Sequence, residues 1–245
     1  MTIYVTGDTH GFRDIKKLNS RSFIKGKNLT KEDYVVICGD FGLLWTTDPK
    51  NQVYKEHKFW LEWLTNKQWT TLVVDGNHEN MDMFAELEVV NKFGGAVGKY
   101  NDSIFHLRRG EIYDIDDKKI LTMGGATSVD KEWRLRNEAK YGKTWWEGEL
   151  WSRDQEDNCF NNLKNSNFKV DYVLSHTAPI SVINDMFVSN WAFSQKIEDP
   201  VSKLFEFIYK NYKLEFKKWY FGHFHEDKTS GKFTCLFDSI KKLGE

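Results

Sequence analysis

Seven histidines occur in the 245 residues, and five of them (His10, His78, His176, His223 and His225) sit at or just past the end of a short apolar run. Asp8 and His10 are two apart, as are His223 and His225. On an extended backbone residues i and i+2 point to the same side, so each pair can converge on one ion or on neighbouring ions. With Asp40 and Asn77 the set combines carboxylate, carboxamide and imidazole and contains no thiolate. Such donors suit a borderline divalent ion (Mn, Fe, Zn, Co or Ni); they are poor for copper(I) and too rich in nitrogen for a calcium cage. Asp8, His10, Asp40, Asn77, His78, His176, His223 and His225 are more ligands than one tetrahedral or octahedral ion uses, which predicts two ions.

The runs that must position these residues are Ile3–Thr6, Tyr34–Cys38, Thr71–Val74, Asp171–Leu174 and Trp219–Phe221, with Lys119–Met123 leading into Gly124-Gly125. Short β-branched and aromatic runs closed by Gly or a polar residue predict buried strands. Helical spacing recurs between them over 53–67, after an Asn80 cap, after the Ser152/Gln155 capping box and after Asp199-Pro200. The stretch 104–123 predicts a hairpin, and Phe233 to Phe237 a late strand. The expected architecture is α/β with mixed sheets, in which functional groups gather beyond the carboxyl ends of strands.

Composition narrows the function classes. The 35 basic and 36 acidic residues nearly cancel, which argues against a strongly basic nucleic-acid surface. The three cysteines are far apart and predict neither a disulfide framework nor a zinc knuckle. Mean hydropathy is −0.61, and no run approaches the roughly 18 apolar residues of a membrane helix. A soluble, cytoplasmic protein of one domain spanning 1–245, without a membrane partner, is expected. Gly94 to Lys99 is not a phosphate loop, because Phe93 and Tyr100 stand where Gly and Ser or Thr are needed. His57, on a helix, and His106, inside a strand, read as structural, and Cys38 as core.

The motifs Asp8-x-His10, Gly39-Asp40, Gly76-Asn77-His78-Glu79, Ser175-His176 and Gly222-His223-x-His225 resemble those of the calcineurin-like metallophosphoesterase superfamily, in the family's order. The resemblance implies a sandwich of two mixed β-sheets flanked by helices. It implies one ion on Asp8, His10 and His225, a second on Asn77, His176 and His223, and Asp40 bridging both. It further implies hydrolysis of a phosphate ester by in-line attack of a hydroxide held between the ions. His78 would protonate the leaving alkoxide or steady its charge. Manganese is the expected metal, with Fe, Zn, Ni or Co as alternatives.

One departure limits the analogy. Where the protein serine/threonine phosphatases of the superfamily continue Gly-Asp towards Asp-Arg-Gly, this chain reads Gly39-Asp40-Phe-Gly-Leu-Leu44-Trp45. The acidic partner of the catalytic His and the phosphate-gripping Arg are absent from that loop. The Gly124–Ser128 segment, followed by Asp130-Lys131 and Trp145-Trp146, is similar to small bacterial and phage metallophosphoesterases. The expected substrate is a small phosphate ester or a nucleotide. A nuclease acting on DNA or RNA is the alternative, and a non-catalytic binding scaffold a weaker one. Residues 131–153, without a sustained period, predict an irregular lid. Within it Arg134, Arg136 and Arg153 would contact phosphate, and Trp145 and Trp146 would stack on a base.

Overall fold

The computed structural model describes residues 1–187 and 199–245. Strands β1 (Ile3–Thr6), β2 (Tyr34–Cys38) and β3 (Thr70–Val74) lie side by side and parallel, with Tyr4 opposite Val35 and Val36 opposite Leu72. Next come β4 (Glu88–Lys92), β5 (Gly95–Asn101) and β6 (Ile104–Leu107); β6 runs parallel to β3, and the β4–β5 hairpin extends the sheet antiparallel. Phe93 and Gly94, both at positive φ, form the tight turn between β4 and β5. The second sheet is built from β7 (Ile112–Asp114), β8 (Lys119–Met123), β9 (Tyr172–Ser175), β10 (Lys218–Phe221), β11 (Lys228–Ser230) and β12 (Phe233–Cys235). Strands β8, β9, β10 and β12 are parallel neighbours, with β7 and β11 antiparallel at the edges. The short β13 (Lys241–Lys242) closes the far side of β1, giving sheets of seven and six strands.

Alternation along each strand decides what faces what. Val5, Val36, Cys38, Leu72 and Val74 of the first sheet pack against Ile120, Tyr172, Leu174 and Tyr220 of the second, forming the layer between the sheets. The intervening residues Tyr4, Val35, Ile37 and Val73 turn outward beneath α1 (Tyr54–Thr65), where Leu61 and Leu64 cover them. On the opposite side Val173, Trp219 and Phe221 pack with α5 (Arg153–Asn165), α6 (Ile180–Phe187) and α7 (Pro200–Asn211). The central parallel strands are therefore covered on both faces, which is why they read as unbroken apolar runs.

The caps fall where expected. Asn80 accepts from the amides of Asp82 and Met83 at the start of α2 (Met81–Ala85). Ser152 and Gln155 form a complete capping box on α5, and Asp199 caps α7 ahead of Pro200. Two expectations need correction. The stretch 104–123 is not one hairpin: β6 joins the first sheet, and only β7 and β8 pair as a hairpin in the second. Residues 131–153 are not an irregular loop either, since they contain α3 (Lys131–Arg136), α4 (Glu138–Tyr141) and a 3-10 turn at Glu147–Glu149. No helix of the described residues is long and apolar enough to cross a membrane.

Candidate metal centre

The carboxyl ends of β1, β2, β3, β9 and β10 point to one place, and the residues just beyond them converge there. Asp8, His10, Asp40 and His225 bring one ligand atom each within 4.8 Å of one another. His10 Nε2 lies 3.4 Å from Asp40 Oδ2, and His225 Nε2 lies 3.1 Å from Asp8 Oδ2. Beside this group, His176 Nε2 is 3.2 Å from Asp40 Oδ1 and 3.0 Å from Asn77 Oδ1, and the His223 ring sits 4.9 Å from the His176 ring. Donor atoms about 2.0–2.2 Å from a shared ion stand roughly 3–3.5 Å apart at tetrahedral or octahedral angles. The 3.0–3.4 Å spacings at His10–Asp40, His225–Asp8, His176–Asp40 and His176–Asn77 are of that order, as binding of a divalent ion requires.

The backbone is bent to make this convergence. His10 (φ 41°), Asp40 (φ 47°), His223 (φ 70°) and His225 (φ 52°) all lie in the left-handed region. Non-glycine residues there cost about 1–3 kcal/mol each and cluster at functional sites. Gly39 and Gly76 leave room for ligands arriving from other strands. A Cβ on Gly39 would sit 1.9 Å from His176 Nδ1, and one on Gly76 would sit 2.2 Å from Asp40 Oδ1.

Most of the candidate ligands are held by a further group. Asp14 lies 2.8 Å from His10 Nδ1, and the Cys38 carbonyl 3.0 Å from His176 Nδ1, so both rings turn Nε2 inward. Asp8 accepts the His223 amide on both carboxylate oxygens. Asn77 Nδ2 donates to Ser128 Oγ at 3.1 Å, and Ser128 Oγ donates to Glu149 Oε2 at 2.7 Å, which leaves Asn77 Oδ1 facing His176. Glu79 accepts from the amides of Phe41 and Gly42 and so fixes the loop that carries Asp40. Asp14, Ser128, Glu149 and the role of Glu79 escaped the sequence reading; the Ser128 motif and Glu79 of the Gly-Asn-His-Glu motif were the available signals.

The electrostatics follow from the packing. Burial alone would raise the Asp40 carboxyl, but His176 and His10 hold it well below the ordinary carboxylate range. Burial would lower His10 and His176, yet Asp40 and Asp8 raise them to about 9 and about 10. Burial and the neighbouring His176 depress His223. Burial together with the Asp40 charge pushes Glu79 up to about 8, against its two amide hydrogen bonds.

His78 is brought to the edge of this cluster, its amide donating to Asp40 Oδ1 at 2.8 Å and its ring 5.7 Å from that of His10. Arg134, buried in α3, places Nη2 2.8 Å from His78 Nδ1 and 3.1 Å from Nε2. Its Nε pairs with Asp130 at 2.8 Å, and Nη1 donates to the Thr144 carbonyl. Nη2 is nearly equidistant from the two ring nitrogens, so it lies against the imidazole and not along either lone pair, and its charge acts on the whole ring. Burial lowers the His78 pKa, and the Arg134 charge works in the same direction.

The other residues of 131–153 are placed differently from the lid reading. Arg136 is exposed and donates to the Glu132 carbonyl, and Arg153 is exposed and pairs with Glu156 and Asp157 on α5. Neither is brought to the cluster. Trp146 is buried, donates to Asp82 and meets the Trp45 ring edge-on at 5.1 Å, so it packs the segment down and offers no free face. Trp145 donates to Glu149, and its ring is covered by Lys131 Nζ 4.1 Å from the centroid. His106 is structural, its Nε2 2.8 Å from Asp75, which also pairs with buried Arg109.

A cavity of about 230 Å³ opens beside His10 and His78, walled by Phe12, Trp45 and Val53 and reached by Arg13 and His57. The larger cavity of about 440 Å³ lies beyond Asp75 and includes none of the candidate ligands.

The chain matches the model of the calcineurin-like phosphoesterase family over residues 1–227. It belongs to that family, and with the Asp/His cluster this makes it, in general terms, a metal-dependent phosphoesterase. A search of curated proteins gave no match.

Proposed function

We propose that the centre binds two divalent ions, preferentially manganese, and that the protein hydrolyses phosphate esters of small molecules or nucleotides. Asp8, His10 and His225 would hold one ion, Asn77, His176 and His223 the other, and Asp40 both. The observation that carries this reading is the division of Asp40: Oδ2 faces His10 and Oδ1 faces His176, one oxygen for each half of the site. When bound, such a pair of ions supplies Lewis-acid stabilisation of phosphoryl oxygens and a nucleophile at neutral pH.

The chain's own residues do the rest. Asp14, Cys38, Ser128 and Glu79 keep the donors in place before any substrate arrives. His78, kept neutral beside Arg134, donates a hydrogen bond to the leaving oxygen as charge builds on it, and Arg134 leaves a buried positive charge beside that position. This favours the charge-steadying role of His78 over full proton transfer.

The test is hydrolysis of a generic phosphomonoester and a generic phosphodiester by metal-stripped protein refilled with single ions. Activity should vanish on stripping and return best with manganese. Full activity after confirmed metal removal contradicts the reading.

A further inference from the structure

We propose that the 230 Å³ cavity beside His78 is the leaving-group pocket, and that it takes a planar nitrogen heterocycle, the nucleobase of a nucleoside phosphate. The inference rests on the phosphoesterase reading and adds its substrate class. His10 and His78 line the cavity, so a phosphoryl group on the centre would direct its ester oxygen and attached alcohol into it. The volume is below the roughly 300–1,000 Å³ of a site for a drug-sized molecule, which is room for one ring system.

The walls are aromatic and fixed. Trp45 stands edge-on to buried Trp146, and its carbonyl accepts from Asn80 Nδ2 at 2.7 Å. Phe12 and Val53 complete an apolar slot of the kind on which any base can stack.

His57 supplies the polar edge. Unlike His106, which Asp75 engages, buried His57 has an Nδ1 with no hydrogen-bond partner. Most buried polar side-chain atoms have a partner, so this nitrogen is one of the few exceptions among the described residues. Its Nε2 faces the cavity-lining segment His10–Phe12, where a Cβ on Gly11 would lie 3.6 Å away. With Nδ1 unpartnered, either tautomer is open to the ring, and Nε2 can donate to or accept from the edge of a base. A flat heterocycle uses the ring faces and this nitrogen together.

The test measures binding to the manganese-loaded chain of non-cleavable phosphonate analogues of the four nucleoside 5′-monophosphates, against the matching ribose phosphonate. At least one nucleoside analogue should bind about tenfold or more tightly than the ribose compound. That ratio should fall below about threefold in Trp45→Ala and in His57→Phe, the second of which keeps the ring and removes its nitrogens. Equal binding of base-bearing and base-free analogues by the unaltered chain overturns the pocket, as does a ratio unchanged in both variants. Hydrolysis of generic esters is measured separately, so loss of base preference and loss of the phosphoesterase reading are told apart.

Discussion

Arg134 sets a buried positive charge against the His78 ring, which disfavours the imidazolium and so sets what the imidazole can contribute. His78→Ala should leave two ions bound while turnover falls about 10²–10⁴-fold for poor leaving groups. The loss should shrink with an activated leaving group, which needs little help. Loss of metal from this variant, measured by elemental analysis, would mean that His78 is a ligand. The seven candidate ligands and His78 were readable because each follows a strand end within a few residues. Arg134 was flagged as a phosphate contact, yet it reaches His78 across 56 positions of sequence, and Glu149 reaches Ser128 across 21. No local pattern encodes such pairs, because they depend on how the 131–153 segment folds against the residues after β3 and against α2.

Strand ends do the positioning, and the glycines at those ends are where the arrangement is least tolerant. Gly39→Ala places a methyl 1.9 Å from His176 Nδ1 at φ +90°, and so should displace a ligand as well as strain the backbone. Gly94→Ala, at φ +77° with nothing within 4 Å, meets only the backbone cost, about 1–2 kcal/mol. Metal stoichiometry should drop in the first variant and hold in the second; retention of both ions by Gly39→Ala would refute the close packing. Both faces of the parallel strands are covered, so their apolar runs were plain in the sequence. The 104–123 segment was misjudged because alternation reveals a strand but not the sheet it joins, and β6 and β7 part company within five residues. The helices α3 and α4, of six and four residues, are too short to display a helical period.

Across the whole molecule a nearly neutral charge balance conceals a concentrated site in which buried carboxylates raise His10 and His176 to about 9 and about 10. Raised values mean that both rings carry protons at neutral pH and must release them to bind a metal, whereas His223, depressed, has none to give. Loading metal-stripped protein at pH 7 should release about two protons per chain from these rings, and release should dwindle as pH rises past those values. An indicator titration showing no release at pH 7 would contradict this electrostatic picture. The proposed bridging role of Asp40 is tested most directly by anomalous diffraction from manganese-soaked crystals. Two peaks about 3.5–4 Å apart are expected, one among Asp8, His10 and His225, the other among Asn77, His176 and His223, with Asp40 between them. A single peak under saturating manganese, or two peaks with Asp40 touching only one, would contradict it.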